Sequence, residues 1–196
     1  MKNLCVKLSG LGAALMCFPV IWRVHEGDAL NPVSYLLWSM LSLVSTIVLL
    51  RAKKGGATLM AGYIFSDLAI AAYIFVHKGR YVFGAFEQVI VVMTMVCTLF
   101  YLRCKSKGNL TPSVILNALT ILCAGIPQVV DIFEHPFHMS YFICVLYFLI
   151  STLSYYGEQP TLHARLIPGI SILYWIVVVI GMMLMRNYET SKLWLP

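Results

Sequence analysis

The sequence predicts an all-α membrane protein of seven transmembrane helices, and three observations carry that expectation. Of its 196 residues, 60% are hydrophobic and only 11% charged, with a mean hydropathy of +0.84. Soluble domains run nearer about 45–50% apolar and about 25% charged, because so much of a small protein's surface must face water. Seven apolar runs, near 5–22, 32–50, 57–76, 83–102, 111–130, 138–156 and 166–185, approach the roughly 20 residues that cross a hydrocarbon core. The linkers between them are short, so residues 1–196 read as a single transmembrane domain with no soluble module and little room for a soluble active site.

The first run follows Lys2 and Lys7, as a signal peptide would. No small-x-small cleavage pattern succeeds it; Pro19, Trp22 and Arg23 come instead, so it reads as the first membrane helix. The second run carries Trp38, and the third carries Tyr63, Ser66 and Asp67. The fourth opens on Glu87. The fifth holds Asn117, Pro127 and Gln128, and the seventh Ser171, Tyr174 and Trp175. Trp22 and Trp194 fall at run ends, where indoles anchor at the membrane–water boundary.

The net charge of +6 would suggest nucleic acid in a soluble protein. Here the basic residues sit at helix ends, so no nucleic acid is expected and the charge reads as orientation. Lys2, Lys7, Arg51, Lys53, Lys54, Arg103, Lys105, Lys107 and Arg165 fall on one side, and Arg23, Lys78, Arg80, Arg186 and Lys192 on the other. That bias predicts a cytoplasmic N terminus and an outside C terminus, and the compact, short-looped chain fits a bacterial inner membrane. The six cysteines form no CxxC pair or His-bearing metal spacing and read as small buried apolar residues.

Compared with itself, the chain repeats. Phe18-Pro19 falls on Ile126-Pro127 at an offset of 108; Ser34-Tyr35 and Ser45-Thr46 fall on Ser140-Tyr141 and Ser151-Thr152 at 106; Leu59 and Gly62 fall on Leu166 and Gly169 at 107. Three helices thus recur, about 5–77 and about 111–186, with the helix at about 83–102 left between them as a linker. An odd number of helices inverts the chain, and one extra helix restores a parallel orientation, so two triplets can face each other across a central cavity. Paired repeats with a midplane cavity are a common transporter plan.

Gly125-Ile126-Pro127-Gln128 resembles the PQ motif of the PQ-loop and SWEET transporter superfamily; Cys17-Phe18-Pro19-Val20 keeps the proline and loses the glutamine. Each is followed by a short polar loop and a helix opening on Ser-Tyr, as in many PQ-loop repeats. The resemblance covers nearly the whole chain and implies a 3+1+3 arrangement of two parallel three-helix repeats. It does not carry sugar specificity: Gly62, Ser66, Asp67, Gly169 and Ser171 stand where the sugar-carrying members are expected to place asparagine.

Pro19 and Pro127 remove an amide donor inside apolar helices and so kink them, and their pairing marks them as hinges; the alternative is an ordinary tolerated kink. Asp67 lies mid-helix, where a charge costs about 2.5–3.5 kcal/mol on insertion scales and usually marks an ion or proton path. It is the proton-coupling candidate, against a structural aspartate bonded to a neighbouring serine. Asn117 and Gln128 either line a cavity or bond carbonyls freed by the kink. Trp38, Tyr63, Tyr174 and Trp175 form aromatic platforms or pack against lipid. The loops with His25, Glu26 and Asp28, and with Asp131, Glu134, His135 and His138, read as solvated; their spacing specifies no metal.

The expectation is therefore a carrier in a lipid bilayer that moves a small polar solute (a sugar, amino acid or similar metabolite) by alternating access, with protons through Asp67 as the coupling option. The cavity residues are Trp38, Tyr63, Asp67, Asn117, Gln128, Ser171 and Trp175, the hinges Pro19 and Pro127. The alternative is a receptor or sorting protein on the same scaffold, as the KDEL receptors resemble SWEETs. No phosphate loop, zinc-protease motif or nucleophile elbow is present in the sequence, so no enzyme, metal or cofactor is expected.

Overall fold

The computed structural model describes residues 2–28, 30–52, 57–77, 84–106, 110–134, 136–137 and 139–192. Among them the chain is all helical: α1 (Lys2–Leu15), α2 (Cys17–His25), α3 (Pro32–Ala52), α4 (Ala57–His77), α5 (Ala85–Ser106), α6 (Leu110–Ala124), α7 (Ile126–Glu134), α8 (Tyr141–Gly157) and α9 (Leu162–Lys192). Lys53, Lys54, Lys78, Arg80 and Lys107 of the orientation argument, with His135, His138 and Trp194, lie outside the described residues.

Five stretches are long and apolar enough to cross a membrane: Lys2–His25, Ala57–His77, Ala85–Arg103, Ile115–Glu134 and Ala164–Tyr188. Pro32–Ile47 and Tyr141–Gly157 are shorter apolar helices. The 17 residues of α8 extend about 26 Å at 1.5 Å per residue, a little under a hydrocarbon core of about 30 Å. Large apolar side chains such as Leu99, Phe65 and Leu184 face outward, as expected of a surface solvated by lipid rather than water.

The first and fifth expected helices are each two helices in line, and the break does not fall on the proline. The Met16 amide donates to Ala13 O at 3.3 Å and the Gly125 amide to Leu122 O at 3.0 Å, so each chain tightens to an i→i−3 turn before restarting. Pro19 and Pro127 then sit in the first turn of α2 and of α7, where a missing N–H costs nothing because no intrahelical acceptor exists for it. Pro168 lies inside α9 without ending it.

The packing pairs up. Two helices pack against all those before them in their half of the chain: α4 against α1, α2 and α3, and α9 against α6, α7 and α8. Between the halves, α1 packs on α8 while α3 packs on α6 and α7, and α5 lies chiefly on α6. The α1–α4 contact is close because of glycine: a Cβ on Gly62 would collide with the Gly10 carbonyl, and would come within 2.7 Å of Ala13 Cβ. Gly157 plays the same part between α8 and α1, where a Cβ would lie 2.9 Å from Cys5 Cβ.

Candidate substrate cavity

A cavity of about 60 Å³ lies among α3, α4, α6, α8 and α9. Its walls include Trp38 and Ser42 from α3, and Met60, Tyr63 and Asp67 from α4. Tyr147 comes from α8, with Ser171, Tyr174 and Trp175 from α9. Helix periodicity brings them together: Trp38 with Ser42, Tyr63 with Asp67, and Ser171 with Tyr174 and Trp175 are three or four residues apart, hence on one face of their helix.

The rings form a connected array. Tyr147 stacks on Trp175 at 4.5 Å between centroids and 5° between planes. Trp175 meets Tyr174 edge-on at 5.1 Å, Trp38 meets Tyr174 edge-on at 5.6 Å, and Tyr63 tilts toward Tyr147 at 5.9 Å. These are the separations at which aromatic pairs attract beyond simple burial. Most polar groups in the array are engaged by the protein itself. The Trp38 indole N–H donates to Ile121 O at 3.1 Å, and the Tyr174 hydroxyl donates to Gly125 O at 3.2 Å. Ser151 lies 2.8 Å from the Ser171 hydroxyl and 3.4 Å from that of Tyr63. Asp67 is 3% exposed. The Ser66 hydroxyl donates to it over a long 3.5 Å, and among the described residues it forms no ion pair.

Trp38 and Tyr174 also tie the cavity to the α6–α7 break. Because the Gly125 amide turns to Leu122 O, Ile121 O loses its usual partner four residues on, and the Trp38 indole takes that place. Gly125 is required there: a Cβ would lie 2.7 Å from the Tyr174 ring and 3.0 Å from that of Trp38.

Of the residues singled out from sequence, Trp38, Tyr63, Asp67, Ser171 and Trp175 line this cavity. Asn117 and Gln128 do not, and the reason is tertiary pairing. The Asn117 amide donates to Ser45 Oγ at 2.8 Å, fastening α6 to α3. Gln128 is fully buried; its side-chain oxygen accepts the Asn31 backbone N–H at 3.0 Å, while its own backbone N–H donates to Ser34 Oγ at 3.2 Å, joining α7 to the start of α3. Tyr147 escaped the sequence reading. The signal for it was a polar stripe on an apolar helix: Tyr147, Ser151 and Ser154 fall at i, i+4 and i+7 of α8.

At the end of the bundle that holds the α2–α3 and α7–α8 loops, two arginines hold the loops down. Arg23 reaches Glu26 at 2.6 Å and Asp28 at 3.0 Å. Arg186 donates to Pro136 O at 2.8 Å and Met139 O at 2.5 Å, with its guanidinium 4.3 Å from the Tyr141 ring centroid. The loop residues read from sequence as solvated are thus partly drawn in, with Asp28 only 5% exposed. Among the described residues no three His, Cys, Asp or Glu side chains converge as a metal site would require. No family model, no curated protein and no solved structure matches this chain.

Proposed function

We propose that this chain is a membrane carrier of the 3+1+3 build, resembling the PQ-loop and SWEET transporters, that moves a small polar solute by alternating access. In this reading α1–α4 form one unit, α6–α9 the second, and α5 is the linker. The solute occupies the cavity walled by Trp38, Tyr63, Asp67, Ser171 and Trp175, and the N terminus faces the cytoplasm. One observation carries it: a carboxylate-bearing cavity lies among helices of both units, directly against one of two spans that break two or three residues before a proline. Its volume of about 60 Å³ is far below the roughly 300–1,000 Å³ of formed ligand pockets, which suits a contracted state that widens as the units part at the two breaks. Asp67 remains the candidate for proton coupling.

The test needs no knowledge of the solute. Ser42→Cys and Ser171→Cys are placed singly in a background whose six native cysteines are replaced, and the protein is reconstituted in vesicles. A membrane-impermeant maleimide is then added from each side in turn. Labelling of both positions from both sides is the expected result. Labelling from one side alone would overturn alternating access and favour a receptor on the same scaffold.

A further inference from the structure

The cavity has the wrong chemistry for a polyhydroxylated solute. Five of its thirteen lining residues are aromatic: Trp38, Tyr63, Tyr147, Tyr174 and Trp175. The polar hydrogens that a sugar would recruit are largely spent within the protein. Trp38 is bonded to Ile121 O, Tyr174 to Gly125 O, and Ser171 and Tyr63 are both held at Ser151. What is left facing the space is a set of π faces and one carboxylate, with the Ser42 hydroxyl turned to the Met60 sulfur at 3.9 Å and the Tyr147 hydroxyl outside these bonds.

The charge is one-sided as well. Among the described residues, Asp67 is the one ionisable carboxylate of the lining, and no Lys, Arg or His lines the cavity beside it. An anionic solute would meet repulsion without a counter-charge, and a neutral one gives the carboxylate no partner, leaving it to be neutralised only by taking up a proton. A cation answers both features at once. Its charge is balanced by Asp67, and its alkylated, weakly hydrated surface is stabilised by the negative faces of Trp and Tyr rings, which is how aromatic cages hold ammonium groups.

We propose that the solute is a small organic cation, an amine or quaternary ammonium compound, with its cationic head held among Trp175, Tyr147, Trp38 and Tyr63 and neutralised by Asp67. This assignment rests on the carrier reading for its word "solute", but the binding site itself does not. The cavity is contracted at about 60 Å³, and in this reading the cation enters as the units separate.

The test compares charge at constant shape. Purified protein in detergent is titrated with tetramethylammonium, methylammonium, putrescine, choline and 3,3-dimethylbutan-1-ol, the last being the uncharged isostere of choline, and with glucose. Thermal stability and tryptophan fluorescence are both read, since native-state binding raises apparent stability. Saturable binding of at least one cation, with neither the isostere nor glucose binding comparably, is expected. Asp67→Asn should weaken it by roughly 30-fold or more, as when one partner of a buried charge pair is removed, and Trp175→Leu by about tenfold. Equal binding of choline and its isostere, or binding of glucose but of no cation, overturns the cation assignment. That comparison is made on the unaltered protein, so it decides even if a variant fails to fold. Uptake of the bound cation into vesicles is measured separately. Binding without uptake leaves the cation site standing and counts against the carrier reading, whereas two-sided labelling without cation binding does the reverse.

Discussion

The two broken spans are made differently, and the difference indicates where motion would reach the cavity. In α6–α7 the break falls on Gly125, and side chains from elsewhere reach its carbonyls: the Trp38 indole takes Ile121 O, and the Tyr174 hydroxyl shares Gly125 O with the Val129 amide. Both of those side chains line the cavity. In α1–α2 the break falls on Met16, buried in the core, and the nearby bond from Cys17 Sγ to Ala14 O at 3.4 Å is local. The first span is instead pressed against α4 through Gly10 and Gly62. One break is thus wired to the cavity and the other is anchored in packing. A rearrangement at Gly125 must displace Trp38 and Tyr174, whereas one at Met16 has no such direct link.

The largest expected effect lies on the anchored side. Gly62→Leu puts a branched side chain where even a Cβ meets the Gly10 backbone and Ala13. Overpacking ordinarily costs about 1–3 kcal/mol, and a backbone neighbour leaves less room to relax, so roughly 3 kcal/mol or more and a sharp fall in recovered folded protein are expected. Gly169 matches Gly62 in the repeat, but its Cβ would stand 3.4 Å from the Tyr155 ring, ordinary contact. Gly169→Ala should therefore change thermal stability by less than about 0.5 kcal/mol. Equal losses from the two substitutions would erase the distinction between the halves.

Gly125→Ala comes next. The added methyl must push Tyr174 or Trp38 aside, at about 1–3 kcal/mol, and because both rings line the cavity the tryptophan emission should shift along with stability. Trp38→Phe keeps the ring but leaves Ile121 O without its donor, for about 1–3 kcal/mol if that carbonyl stays dry. The two losses should be less than additive in the double variant, since both disturb one contact. Simple additivity would show that the break and the cavity are independent.

The contrast between these regions was only partly legible in the sequence. The positions of the helices were: the described helices start and stop within a few residues of the apolar runs, apart from the longer C-terminal end of α9, and five stretches are long and apolar enough to cross a membrane. The prolines announced a kink but not its place, since the break falls two or three residues upstream, at Met16 and Gly125. Gly62 and Gly169 share a repeat position and not a job, because what a glycine permits depends on the helix opposite. Asn117 and Gln128 illustrate the same limit for polar side chains: Ser45, Asn31 and Ser34 claim them, and no local pattern names those partners. Asp67 was legible because a carboxylate in mid-helix is anomalous whatever surrounds it.

The finest probe of the comparison comes from the prolines. Each sits in the first turn of a restarted helix, so alanine there removes a conformational restraint; at half-buried Pro19 stability should move by less than about 1 kcal/mol, and at buried Pro127 the lost ring carbons should add about 1 kcal/mol. The backbone response should differ. At Pro19→Ala the new amide finds Leu15 O one turn back, and Met16 is a good helix former, so the break can close into a continuous helix. At Pro127→Ala the break persists, because Gly125 favours it and the Trp38 indole already occupies Ile121 O. Hydrogen exchange reads this directly: the amide introduced at position 19 should be strongly protected and the one at 127 should exchange quickly. In the vesicle labelling assay, Pro19→Ala should also cost more two-sided accessibility than Pro127→Ala, since only the former loses its break. Protection at both positions would mean that proline alone makes each break and that the ties from Trp38 and Tyr174 merely follow it.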